Sequence, residues 1–415
     1  MAVDCDRVLR LSCDGEQATL TVKVSANTYK GLLASNYDGD DNPLALAAPG
    51  YVVELDNADP DPVDGMYTYV YTVKPSTSNI IDLQYLFEDY TVPTGMTLTG
   101  ELIGKYKISI ADGATVTLSG VTIDGIDDGN HSFAGISCLG SATLILAEGT
   151  TNKVKGFSSR YPGIYFPENE TLTISGTGSL IADRNGINAG IGGYIGSNPN
   201  IHGCGNIVIE SGNITATGCP GIGSSVKCGD ITINGGRIEA TGVSNYLGSP
   251  GIGIGGADGV CGAISITGGE VIATGDEGAP GIGAANNNAQ CGDISITGGT
   301  VVSIGGKKAA GIGTGNGAIC GNITIGANVT SVTARRGTKY ESNQEVKIPD
   351  VIGRDPWNQG CGTITFGSGD GSEVYNGTTW SPDPLVAGSY GGLTLGITTT
   401  TETNDTWTLT PTPTE

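Results

Sequence analysis

The residues able to do chemistry fall into a few groups. Asp38, Asp40, Asp41 and Asn42 crowd four oxygen ligands into one turn, the donor type a hard cation such as calcium requires. No glutamate stands at the distal position that would complete an EF-hand loop. Asp56, Asp59, Asp61 and Asp64 form a second acidic cluster, and Asp124, Asp127 and Asp128 a third. Each of the three reads first as a solvated turn, because Asp stabilises turns unaided. Calcium, held by Asp38, Asp40, Asp41 and Asn42, is the one cofactor these residues suggest. The two histidines, His131 and His202, lie far apart and no motif sets a nucleophile beside either, so both read as ordinary loop residues. No recurrent carboxylate pair occurs at the spacing glycoside hydrolysis uses, and no catalytic residue is assigned.

Aromatic platforms for sugar stacking are few. Tyr161, Tyr165, Tyr194 and Tyr246 recur near one corner of a repeating pattern. Arg335, Arg336 and Trp357 stand in a charge-rich insertion from Arg335 to Trp357, which reads either as a basic, aromatic lip for an acidic sugar chain or as a loop folded over the end of the repeats. These seven residues are the carbohydrate-binding candidates.

The elements that must position them follow from the repeats. Cys228 opens CGDITINGGRIEAT, Cys261 opens CGAISITGGEVIAT, and Cys291 opens CGDISITGGTVVSI. Related copies start at Cys204 and Cys320. A Gly-Ile-Gly signature recurs at Gly221, Gly251, Gly281 and Gly311, thirty residues apart each time, and weaker forms extend upstream to Gly135. Within a unit, Ile231, Ile233, Ile238 and Ala240 alternate with Thr232, Asn234, Arg237 and Glu239. A period of two means half-buried strands. Three short strands per unit with glycine corners predict a stacked parallel β-helix of about eight turns, near 40 Å long at ~4.8 Å per turn.

The same phase aligns Cys204, Cys228, Cys261, Cys291, Cys320 and Cys361 as one column. Paired Cys-x-x-Cys ligands are missing, so the column reads as small buried apolar thiols rather than a metal site. Asn206, Asp230, Asp293 and Asn322 form a second column, expected to satisfy corner backbone groups. Arg237 on one turn is expected to pair with Glu270 on the next.

The chain is all-β in this reading, with three parts. Residues 1–97 carry no repeat and form an N-terminal β-sandwich-like domain, a cap or attachment module. Hairpins are predicted around Asp14-Gly15 and around the Asp/Pro-rich loop between Tyr51–Leu55 and Tyr67–Val73. Residues 98–366 form the β-helix. Residues 367–415, with Trp380, Tyr390 and Trp407, form a C-terminal cap and a Thr/Pro tail.

Composition agrees. Of 415 residues 70 are Gly, hydrophobic residues are 38% and charged residues 15%, a balance unlike that of disordered chains. The net charge of −22 repels phosphate backbones and argues against nucleic acid as a partner. No apolar run is long enough for a membrane-spanning helix. The start, MAVDCDRVLR, shows no apolar leader segment.

YKISIADGATVTLSGVTID from Tyr106, then AGISCLGSATLILAEGTTNKVKGF, PGIYFPENETLTISGTGSL and the CG-[DN]-I-[TS]-I … AGIG units together resemble the carbohydrate-binding-domain parallel β-helices of bacterial surface proteins, common in gut anaerobes. The resemblance covers about residues 98–366. It implies polysaccharide binding, calcium in some members, and a shape similar to pectate lyases. The expected function is therefore a non-catalytic β-helix that binds a polysaccharide or cell-surface glycan, adhesin-like, at the cell surface or outside the cell. A phage tail fibre on a virion, trimeric if so, is one rival reading. A polysaccharide lyase or depolymerase is the other.

Overall fold

The structure is a computed structural model that describes residues 9–11, 17–25, 45–47, 51–58, 66–75, 78–86, 88–125, 130–184, 186–195, 201–243, 248–338, 340–342, 345–347, 349–355, 360–399 and 405–413. The chain divides into two compact units, Met1–Phe87 and Glu88–Glu415.

In the first unit, Met66–Pro75 is the centre of a three-stranded antiparallel sheet, flanked by Ala18–Ser25 and Tyr51–Ala58. The pairing across the Asp/Pro-rich loop is the one the sequence predicts. Asp14-Gly15 lies outside the described residues; among those described, Leu9–Leu11 runs parallel to Ala45–Ala47 rather than pairing with Ala18–Ser25. Ala18–Ser25 pairs antiparallel with Met66–Pro75, from Ala18 opposite Val73 to Ser25 opposite Met66.

The second unit is a parallel β-solenoid. Among the described residues, one of its sheets stacks ten parallel strands, from Tyr90–Val92 through Ile222–Ser224, Ile252–Ile254 and Ile282–Ala284 to Ile352–Gly353. The other two faces are built from Ile231–Ile233 and Arg237–Gly242 and their equivalents on each turn. Register is strict: Ile207, Ile231, Ile264, Ile294, Ile323 and Ile364 stack in line. The first of each strand's two inward isoleucines thus meets its copies above and below, all fully buried. A one-residue slip would turn this whole set to solvent, so the hydrophobic pattern fixes the pairing.

The Gly-Ile-Gly signature has a backbone cause. Gly192, Gly223, Gly253, Gly283, Gly313 and Gly353 all adopt φ between +123° and +137°. A Cβ on Gly253 would lie 2.0 Å from the Gly283 carbonyl oxygen of the next turn. Only glycine fits both the angle and that approach.

The Asn/Asp column does what its position suggests. The Asn206 carboxamide accepts from the Asp230 backbone N–H at 2.9 Å, Asp230 accepts from Ala263 N–H at 2.8 Å, and Asp293 accepts from Asn322 N–H at 2.7 Å. Arg237 and Glu270 are ion-paired on the surface. The cysteine column is also present, with Cys228, Cys261, Cys291 and Cys320 in register, buried and unbridged.

At the C-terminal end the parallel stacking changes sense. Asp405–Pro411 runs antiparallel to Ser331–Arg335 and to Leu393–Thr399, which covers the last rung of that face. Trp407 packs edge-on to Trp380 at 5.5 Å, and Trp380 lies 5.0 Å from Tyr375. No helix among the described residues is long and apolar enough to cross a membrane.

Candidate functional site

The ten-stranded sheet changes character along its length. On its later turns the residue after the buried isoleucine is the glycine just described. On earlier turns that slot carries Ser109, Ser137 and Tyr165. Tyr165 follows Ile164, which pairs with Ile136 on one side and Ile191 on the other. It is therefore the last side chain in the slot before the glycines begin with Gly192.

Two other tyrosines converge on it. Tyr161 is held in the preceding corner, where its N–H donates to Ser158 O at 3.0 Å. Tyr194 comes from a small hairpin outside the repeat, Tyr194–Ile195 paired with Ile201–His202. The Tyr161 and Tyr194 rings stack with centroids 4.5 Å apart, and Tyr165 meets Tyr194 edge-on at 4.8 Å. His202, opposite Tyr194 in the hairpin, lies 4.7 Å from that ring. The cluster borders a cleft of about 250 Å³ whose walls include Lys107, Ser137, Leu139, Tyr161, Tyr165 and Tyr194. The walls thus combine aromatic faces, hydroxyl groups and one cation, the mixture that small polar ligands use for orientation.

Burial keeps the Tyr165 and Tyr194 phenols neutral. Burial, reinforced by Cys204, Glu168 and Tyr161, pushes Tyr165 from 10.0 up to about 12. Burial likewise raises Tyr194, with Tyr161 and Tyr165 adding to it. Both remain hydrogen-bond donors at physiological pH. Beside them the Lys227 ammonium donates to Glu168 at 2.6 Å, and the Gly203 N–H donates to the same carboxylate at 3.2 Å. The Lys227 hydrogen bond is the main reason the Glu168 carboxyl sits below its usual range.

The candidates chosen from sequence are dispersed. Tyr161, Tyr165 and Tyr194 come together. Arg336 is 7% exposed and donates through both Nε and Nη2 to Asp405 Oδ2, so it belongs to the C-terminal packing rather than to an open lip. Arg335 is exposed at the end of its strand. The insertion's Arg354 pairs with Asp350 at 2.9 Å and lies over the Tyr375 ring. Tyr246, Trp357 and the calcium candidates Asp38, Asp40, Asp41 and Asn42 lie outside the described residues. Asp124 pairs loosely with Lys155 at 3.5 Å. Among the described residues no group of three or more His, Cys, Asp or Glu is arranged to hold a metal ion.

Glu168, His202 and Lys227 were not legible as neighbours of the tyrosines. Glu168 and Lys227 are 59 residues apart and meet only because two turns stack. His202 is positioned by a hairpin that interrupts the repeat, and an out-of-phase insertion carrying Tyr and His was the available signal.

A family model described as a beta helix repeat matches residues 207–226, 231–258, 264–286 and 294–316. No curated protein and no solved structure matches the chain. The matched segments are the most regular turns of the solenoid, where isoleucine ladders and the glycine column coincide. The alternating burial, the in-register ladders and this match agree that the chain is a parallel β-helix repeat protein.

Proposed function

We propose that the solenoid is a non-catalytic glycan-binding module, and that the cleft formed by Tyr161, Tyr165 and Tyr194 is where a sugar residue docks. The supporting observation is the convergence of three tyrosines, two from one turn and one from a hairpin, on one cleft. Aromatic faces suit the apolar face of a pyranose ring, and the neutral phenols and Ser137 offer hydrogen bonds to its hydroxyls. The repeat holds this surface rigid, so little ordering entropy is lost on binding. Arg335, exposed on a later turn, belongs to the same proposal as a secondary polar contact. The partner in this reading is a polysaccharide or cell-surface glycan, met at the cell surface or outside the cell, and multivalent contact along a polymer would supply avidity.

The test incubates the protein with a panel of neutral and acidic polysaccharides, with and without calcium, and records both retention on the polymer and its chain length. Retention without shortening, reduced by Tyr165→Ala and by Tyr194→Ala, is the expected result. Shortening of any polymer would replace this reading with a depolymerase. Retention unaffected by both substitutions would remove the cleft from the binding surface. Neither retention nor shortening on any polymer would favour a structural fibre.

A further inference from the structure

The cysteine column is unusual for what it excludes. Neighbouring inward columns vary, as where Ser303 stands among Ala240, Ala273 and Ala334, whereas this slot holds a thiol on six successive turns: Cys204, Cys228, Cys261, Cys291, Cys320 and Cys361. Cys228, Cys261, Cys291 and Cys320 are paired residue for residue between adjacent strands. Cys204 Sγ lies 3.4 Å from Cys228 Sγ. Cys361 continues the column beyond Cys320, whose N–H donates to Gly360 O at 3.0 Å.

Parallel strands in register place equivalent Cα atoms about 4.8 Å apart, inside the range of roughly 4.4–6.8 Å that a disulfide spans. Each ladder thiol therefore has a partner on the next turn at a Cα separation that a disulfide can span. Six thiols in a row can be consumed completely by neighbour pairing in one way alone: Cys204 with Cys228, Cys261 with Cys291, and Cys320 with Cys361.

We propose that this ladder is a covalent modification site, at which a peroxide oxidant converts neighbouring thiols into three disulfides that tie six turns of the solenoid in pairs. In each step one thiol loses its proton and its sulfur attacks the peroxide, breaking the O–O bond; the sulfur becomes a sulfenic acid and one water leaves. The neighbouring thiol then attacks that sulfur, the S–S bond forms, and the hydroxyl departs as a second water. Two thiols have lost two electrons and hydrogen peroxide has gained them.

Hydrogen bonding to neighbouring thiols, together with burial, holds Cys228, Cys261 and Cys320 well above the ordinary thiol range. The reduced ladder is thus slow to react at neutral pH, and its oxidation quickens as pH rises. It would remain reduced inside a cell and close in oxidising surroundings. This inference stands independently of the glycan reading, because the ladder and the tyrosine cleft are different residues.

The test treats the folded full chain with hydrogen peroxide under native conditions, alkylates the remaining thiols and maps cross-links in an unreduced digest. The expected map shows the three neighbour pairs named above, within one chain. In Cys204→Ala, the five remaining ladder thiols give two neighbour disulfides and one alkylated cysteine. A ladder still fully alkylated after prolonged treatment at alkaline pH would overturn the proposal. Links between non-neighbouring ladder positions, between chains, or to Cys138 or Cys219 would overturn it as well, since they require unfolding.

Discussion

Arg336 Nη2 lies 3.0 Å from Asp405 Oδ2, with 9% of the arginine side chain exposed. The pair bridges the last rungs of the solenoid and the antiparallel strand that covers them. Arg336→Ala leaves the Asp405 carboxylate, 30% exposed, without its partner, which costs about 1–3 kcal/mol. Arg336→Ala should lower the urea midpoint accordingly, whereas Arg237→Ala, which breaks the exposed pair with Glu270, should leave it nearly unchanged. Equal effects in the two variants would contradict the structural role assigned to Arg336.

Gly253 combines φ +131° with a Cβ position 2.0 Å from the Gly283 oxygen. Gly253→Ala must therefore strain its own backbone and push the next turn away. Together these cost about 2–6 kcal/mol. Gly369 also has positive φ but open space around it, so Gly369→Ala should cost only the conformational part, about 1 kcal/mol. Denaturant unfolding of both variants checks the difference.

Tyr165 gives a prediction on the alkaline side. Its folded value of about 12 lies above the ordinary 10.0. A raised phenol contributes stability that is complete below pH 10 and is lost as pH rises through its folded value. Phenolate absorbance should show a late-titrating tyrosine that disappears in Tyr165→Phe, and the stability gap between the two proteins should close at the alkaline end. A titration unchanged by the substitution would place Tyr165 in contact with water.

Glu168 acts at the other end of the scale. Its carboxyl is depressed, chiefly by Lys227, so its contribution is present above the unfolded value and lost as pH falls through the folded one. Lys227→Met should lower the melting temperature near neutrality, and the gap from the native chain should shrink below roughly pH 4. A gap that persists undiminished in acid would mean that Lys227 acts through packing instead.

For the proposed glycan cleft, Tyr165→Ala and Tyr194→Ala should each weaken retention on a bound polysaccharide about ten-fold, or ~1.4 kcal/mol. Circular dichroism of the variants should remain that of a β-solenoid, because both tyrosines lie outside the isoleucine ladders.

Much of the architecture was already determined by the amino-acid order. Ile231, Ile233, Ile238 and Ala240 alternate with polar residues, and a thirty-residue spacing of Gly-Ile-Gly requires each turn to meet its own copy. These are local and periodic facts, so the solenoid, the buried cysteine column, the corner role of Asp230 and Asp293, and the Arg237–Glu270 pair all follow from register. Tertiary structure decided whatever departs from that period. Ala18–Ser25 pairs with Met66–Pro75, far along the chain, while Leu9–Leu11 pairs with Ala45–Ala47. Arg336 went inward because Asp405, 69 residues later, lies opposite it. The tyrosine cleft exists because a hairpin outside the repeat carries Tyr194 and His202 onto the rung of Tyr165. Periodicity fixes which residues stack; only the folded chain fixes what an interruption of the period reaches.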